Sequence, residues 1–205
     1  MHKAVAITAA GALAALIGGT AIFAFLGRGD DKYAQCRTSR IASGGTPLGG
    51  AFTLTGGDGA RVSSDEILTA PSLIYFGYTY CPDVCPLDSS RNADAAAILR
   101  EQGIDVANIF ITFDPDRDTP EVVGEFASFF DDKMIGLTGS TEELDATARK
   151  FRVYFSKNGD GEDYLMDHSS VTYLTETDGT VIEFFRREME AEALADTVAC
   201  YARAM

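Results

Sequence analysis

The chain has 205 residues and no tryptophan, and histidine is scarce: apart from His2, His168 is the only one. Basic residues are outnumbered, 17 Lys and Arg against 31 Asp and Glu, for a net charge of −14 and a pI near 4.4. Affinity for nucleic acid comes mainly from Lys and Arg neutralising phosphates, so this balance excludes a nucleic-acid partner. It selects no other partner, since a solvated acidic surface is common. No compositionally biased tract and no internal repeat are present, and the apolar share of 46% suffices for one globular core. Cysteine is limited to Cys36, Cys81, Cys85 and Cys200.

Charge is missing altogether from Ala4 to Leu26, 23 residues. A helix of that length, at about 1.5 Å per residue, crosses a hydrocarbon core of about 30 Å. A cleaved signal usually has a shorter apolar region of about 7–15 residues before a small-x-small site. Gly19-Thr20-Ala21 and Gly27-Arg28-Gly29 fit such a site loosely, so a signal is the alternative to an uncleaved anchor. The segment has no cysteine to accept a lipid. Lys3 precedes it and Arg28, Lys32, Arg37 and Arg40 follow, so flanking charge gives no support for an N-inside orientation. Residues 1–27 therefore read as an anchor or signal and residues 28–50 as a tether. The tether contains the Gly pairs and the proline of Ser43-Gly44-Gly45-Thr46-Pro47-Leu48-Gly49-Gly50. Residues 51–205 read as one domain.

Within that domain Ala51–Thr55 alternates like a strand and Asp58-Gly59 supplies a hairpin turn. Ser72–Gly77 is a nearly continuous apolar run, the pattern of a strand buried on both faces. It leads through Tyr78-Thr79-Tyr80-Cys81-Pro82-Asp83-Val84-Cys85-Pro86 into a helix predicted to end at Gln102. A strand over 106–113 and a helix opened by Thr119-Pro120-Glu121 follow. Next come a short strand at Ile135–Leu137 and a helix opened by the capping box Ser140-Thr141-Glu142-Glu143. Strands over 171–175 and 180–185 flank Asp178-Gly179, and a last helix runs over 191–201. Strands alternating with helices, closed by a hairpin, predict an α/β domain with a mixed central sheet and helices on both faces. The thioredoxin-like architecture fits this order.

Cys81 and Cys85 are spaced C-x-x-x-C where a buried strand gives way to a helix. On a first helical turn, residues i and i+4 lie on one face with Cβ atoms about 5–6 Å apart. The positive helix end and its free amides favour thiolate over thiol. Two such thiolates share a soft ion or oxidise to a disulfide; the bland alternative is a buried structural pair. Dithiol redox enzymes usually have two residues between the cysteines, so three tilt the choice towards metal. His168, in Leu165-Met166-Asp167-His168-Ser169-Ser170, is placed in a loop that reaches the end of the first buried strand. Two thiolates and an imidazole suit copper, and the same set can hold zinc.

Cys36 and Cys200 remain, one in the tether and one in the last helix. Counting pairs in an exported domain predicts a structural disulfide between them. Asp114-Pro115-Asp116-Arg117-Asp118-Thr119-Pro120 reads as a strand end and a capped helix start, with a partner surface or a lining of the metal loop as the alternative. Met134, Met166 and Met189 read as packing residues rather than thioether ligands.

Three of these segments resemble the SCO/SenC family of copper chaperones for cytochrome c oxidase: Tyr78–Pro86, Asp114–Pro120 and Asp167–Ser170, in matching order and separation over roughly residues 47–204. The resemblance implies a thioredoxin-like fold behind an N-terminal membrane helix. It also implies one copper ion, as Cu(I) and also Cu(II), held by Cys81, Cys85 and His168. The task it implies is maturation of the dinuclear copper centre of an oxidase subunit, with a second copper chaperone as donor. The same two cysteines would serve the rival role, a thiol–disulfide oxidoreductase that reduces the target's cysteines before metallation. The location it implies is the periplasmic side of a bacterial inner membrane or, alternatively, the intermembrane side of the mitochondrial inner membrane.

Overall fold

The structure, a computed structural model, describes residues 31–39 and 47–205. The anchor expected over residues 1–27 lies outside the described residues. Among those described, no helix is long and apolar enough to cross a membrane. The chain divides into two units, Met1–Gln35 and Cys36–Met205. In the first, the Asp31 carboxylate accepts the Tyr33 N–H at 3.1 Å and closes a turn.

The second unit begins its sheet with β1 (Thr53–Gly56), which turns back into β2 (Arg61–Ser63). The short helix α1 (Ser64–Ile67) leads to β3 (Ser72–Gly77), whose six residues are all buried. Then come α2 (Val84–Glu101), β4 (Ala107–Thr112), α3 (Pro120–Phe130), β5 (Ile135–Thr138) and α4 (Thr141–Phe151). A hairpin of β6 (Phe155–Asn158) and β7 (Leu165–His168) precedes β8 (Val171–Thr175), β9 (Val181–Arg186) and the final helix α5 (Ala191–Ala204). The seven-stranded sheet has the order β2-β1-β5-β4-β3-β8-β9. Strands β3, β4 and β5 run parallel, and β1, β2, β8 and β9 join antiparallel, so the sheet is mixed as expected.

Local chemistry sets the helix starts. The Thr119 hydroxyl accepts the Val122 N–H with Pro120 in the first turn, and Ser140 and Glu143 form a reciprocal capping box. Each such cap satisfies an otherwise orphaned amide and contributes about 1 kcal/mol.

Alternation along β3 sends successive side chains to opposite faces. Phe76 meets Phe151 of α4 at 5.2 Å between ring centroids and Tyr173 of β8 at 6.0 Å. On the other face Tyr75 lies beside Phe110 of β4, which packs at 4.6 Å on Phe126 of α3. Helix α2 covers that same face, where Asn92 donates to Thr172 of β8 at 3.0 Å. So does α5, whose Tyr201 hydroxyl reaches Glu183 of β9 at 2.8 Å. Helices therefore lie on both faces.

The hairpin of β6 and β7, like the short α1, is an element that sequence patterning did not resolve. It forms a separate two-stranded sheet in which Phe155 pairs with His168. His168 is thus the last residue of a strand and not part of a free loop.

Candidate metal centre

Parallel strands deliver their C-terminal ends to one edge. Gly77 pairs with Thr112, so the segments following β3 and β4 leave the sheet side by side. The antiparallel β8 starts at that same edge, with Thr172 opposite Tyr75, and brings the segment behind His168 there too. Three stretches far apart in sequence converge because of this topology.

The segment after β3 is fastened from below. Thr79 N–H donates to Asp118 Oδ2 at 3.0 Å, its hydroxyl donates to Oδ1 at 2.5 Å, and the Thr112 hydroxyl donates to Oδ2 at 2.5 Å. Asp118 is fully buried. Its segment is therefore a strand end and a capped helix start, and it also lines the loop that carries Cys81. Asp118 was not singled out in the sequence, where four charged residues in a row of seven look alike.

Cys81 lies before helix α2, not on its first turn. Its Sγ accepts the Cys85 N–H at 3.3 Å, taking up a helix-end amide that the Asp83 side chain leaves alone. Cys85 is fully buried and Cys81 is 7% exposed. A Cβ on Gly77 would stand 3.0 Å from the Cys85 Sγ and 2.9 Å from the Phe110 ring, so only glycine leaves room for that sulfur. His168 Nε2 stands 3.5 Å from Cys85 Sγ. Its Nδ1 lies 3.1 Å from the Ser169 carbonyl, which can only accept, so Nδ1 carries a proton and the tautomer of the neutral ring is the one with its lone pair at Nε2. Phe113 sits 5.0 Å from the imidazole and stacks on Phe155 with an 8° interplanar angle, and Tyr78 meets the imidazole edge-on.

The two thiols differ. The hydrogen bond from Cys85, aided by His168 and the amides of Asp83 and Cys85, lowers Cys81 to about 3 against the effect of its own burial. Burial pushes Cys85 well above the usual thiol range. In the metal-free pair the less buried sulfur is the thiolate and the fully buried one holds the proton. Behind Cys85 lie Tyr75 and Asp88, both raised first of all by burial, with Arg91 at 3.4 Å from Asp88.

Cys81, Cys85 and His168 present their ligand atoms within 4.8 Å of one another, and among the described residues no further Cys, His, Asp or Glu joins them. That set fits one soft ion held by three donors; a structural zinc site would call for four. Cys36 and Cys200 stand apart as a disulfide, with Cα atoms 5.6 Å apart across 164 residues. Met134 is buried in the core and Met166 packs against it.

The SCO1/SenC family model matches residues 41–203. The protein SenC of Rhodobacter capsulatus is 41% identical over 204 residues, covering 99% of this chain and 92% of that one. The crystal structure of Arabidopsis thaliana ScoI with copper bound superposes with a TM-score of 0.73 at 39% identity, over 77% of this chain and 99% of that one. BsSco, described as having a disulfide switch and as a member of the Sco family of cytochrome c oxidase assembly proteins, gives 0.62 at 27% identity, over 78% and 96%. Fold, sequence and the convergence of the three segments agree: the chain belongs to the SCO1/SenC family.

Proposed function

We propose that this protein binds one copper ion through Cys81, Cys85 and His168 and delivers it to the dinuclear copper centre of a cytochrome c oxidase subunit. One observation carries the reading. The His168 lone pair is aimed at the thiol pair and fixed there by Nδ1, an arrangement that dithiol chemistry alone does not require. Thiolates and imidazole suit Cu(I), and three donors leave a position through which an accepting protein's ligands can enter. The copper-bound relative supports the choice of metal. A second copper chaperone is the expected donor.

The experiment is copper titration of the full chain in mild detergent, beside His168→Ala. Altering partners outside the ligand set typically costs 10–100-fold in affinity, so losing a ligand costs at least about tenfold. Formation and exchange of the Cys81–Cys85 disulfide should persist in the variant. Equal copper affinity in the two proteins would remove His168 from the site.

A second reading has its own support, the inequality of the two thiols. Cys81 thiolate attacks a target disulfide, one target sulfur leaves as thiolate, and a mixed disulfide forms. Cys85 gives up its proton and attacks Cys81 Sγ, leaving a Cys81–Cys85 disulfide and a target reduced by two electrons. The relative with a disulfide switch favours this chemistry as an accompaniment to copper transfer. Both roles place the domain outside the cytoplasm, on the periplasmic side of a bacterial inner membrane, where a disulfide such as Cys36–Cys200 persists.

A further inference from the structure

His168 comes from a two-stranded hairpin that is no part of the main sheet. A lone hairpin of this kind is marginal in water, so contacts outside its own ladder decide where it sits. The most extensive of these contacts runs through Arg117. Its Nε and Nη2 lie 2.7 and 2.6 Å from Asp114 Oδ2, and Nη1 donates to the carbonyls of Tyr164 at 2.9 Å and Glu162 at 3.3 Å. The guanidinium lies 3.5 Å over the Tyr164 ring and 4.7 Å over that of Tyr80. The other Asp114 oxygen accepts the Tyr164 hydroxyl. Arg117 and Asp114 are 13% and 3% exposed at their side chains, so the pair is shielded from water and its geometry is defined.

Tyr164 immediately precedes β7, the strand that ends at His168. Asp114 follows β4 and Tyr80 precedes Cys81. We infer that Arg117 is a positioning residue for the metal centre, locking the β6–β7 hairpin, and His168 with it, onto the sheet edge that carries Cys81 and Cys85. It touches none of the three ligand atoms and acts through the backbone of Tyr164. The inference rests on the copper reading above.

Two attachments in one region make the effect separable. The cysteine segment is held by its own strand and by Asp118 through Thr79. The hairpin is tied by Arg117, by the Tyr164 hydroxyl on Asp114 and by the stack of Phe113 with Phe155. Loosening Arg117 therefore frees the imidazole while the thiol pair stays put. Lysine at this position keeps a charge beside Asp114 but cannot reach Asp114 and the Tyr164 carbonyl together through a rigid planar fork.

The test compares the full chain in mild detergent with Arg117→Ala, Arg117→Lys and His168→Ala. Cu(I) affinity is read by competition against a chromophoric chelator, and the rate of Cys81–Cys85 disulfide exchange is read on the metal-free protein. The expected result is a 10–100-fold loss of Cu(I) affinity in Arg117→Ala, with a smaller loss in Arg117→Lys. The Cys81–Cys85 disulfide should still form and exchange in both Arg117 variants, because the cysteine segment keeps its own attachments. Undiminished affinity in Arg117→Ala, while His168→Ala is impaired, would overturn the inference and leave the copper reading standing. A parent chain that binds no Cu(I) would overturn the copper reading itself. Should Arg117→Ala fail to fold, Arg117→Lys decides: weaker copper with a Cys81–Cys85 disulfide that still forms and exchanges supports the role, and parental affinity ends it.

Discussion

Asp118 and Thr79 are joined by two hydrogen bonds across 39 residues of sequence, one from the Thr79 amide and one from its hydroxyl. The bonds fix the second residue of the segment that carries Cys81. Burial raises the Asp118 carboxyl, and the hydroxyl and amide donors oppose this without cancelling it.

From this follows a contrast between two substitutions. Asp118→Ala strands the Thr79 amide and the Thr112 hydroxyl in a buried site, at about 1–3 kcal/mol for each. Asp118→Asn keeps an oxygen for the two donors on Oδ2, while the Thr79 hydroxyl rotates to accept from the new amide. Urea unfolding at pH 7 should place the alanine variant well below the parent and the asparagine variant close to it. The pH dependence has a definite sign. An acid raised in the folded state adds stability when protonated and loses it as pH climbs from the unfolded value of about 3.9 through the folded one. The parent should lose stability relative to Asp118→Asn over that interval. A parallel pair of pH curves would show that Asp118 is not held above its ordinary range.

The sequence made some of this legible because a single local force decided it. Six consecutive buried residues could only be an interior strand, and Ser140 with Glu143 could only open a helix. The cysteine spacing announced a shared site by the same logic. The hairpin escaped because its strands are only four residues long and mostly polar, and none of their residues is fully buried, so no apolar period marks them. His168 was therefore assigned to a loop, although it is paired with Phe155. The charged run 114–120 failed differently. Which of its carboxylates is buried depends on Thr79, Thr112 and Tyr164, partners that only the folded sheet assembles. Cys81 was assigned to the first helical turn by spacing, and its sulfur instead accepts an amide of that turn from outside.

The N-terminal strap gives a second stability prediction. Glu183, fully buried on β9, accepts the Thr38 N–H at 2.9 Å, the Ser39 N–H at 3.3 Å, the Ser39 hydroxyl, and the Tyr201 hydroxyl at 2.8 Å. Burial pushes this carboxyl up, and the donors together outweigh it, so it titrates below the ordinary range. The stability it adds is complete above the unfolded value of about 4.3 and disappears as pH falls through the lower folded one. Glu183→Gln turns an amide towards these donors and should cost about 1–3 kcal/mol at pH 7 while flattening the acid limb of the stability curve. Replacing Cys36 and Cys200 together by serine releases a closure spanning 164 residues and should cost about 2–5 kcal/mol. Both changes loosen the same strap, so their combination should be non-additive. Urea melts at pH 7 and pH 3.5 check all three statements, and simple additivity would separate the strap from the disulfide.

The inequality of Cys81 and Cys85 has a direct chemical readout. With Cys81 lowered to about 3, its thiolate is populated throughout the mildly acidic range, and it is the more accessible of the two sulfurs. Cys85 is buried and keeps its proton. Iodoacetamide at pH 6 on the reduced, metal-free chain should therefore label Cys81 and spare Cys85, which peptide mass spectrometry resolves. An ordinary thiol of pKa about 8.5 is less than one per cent ionised at that pH, so the contrast with an unperturbed cysteine is large. The hydrogen bond from Cys85 is the largest single influence holding Cys81 down. Cys85→Ala removes it and should slow labelling of Cys81 at pH 6 even though the new side chain is smaller and opens the site. Faster labelling in Cys85→Ala would mean that access rather than ionisation controls Cys81, and the two thiols would then not be divided into an attacking thiolate and a buried resolving thiol.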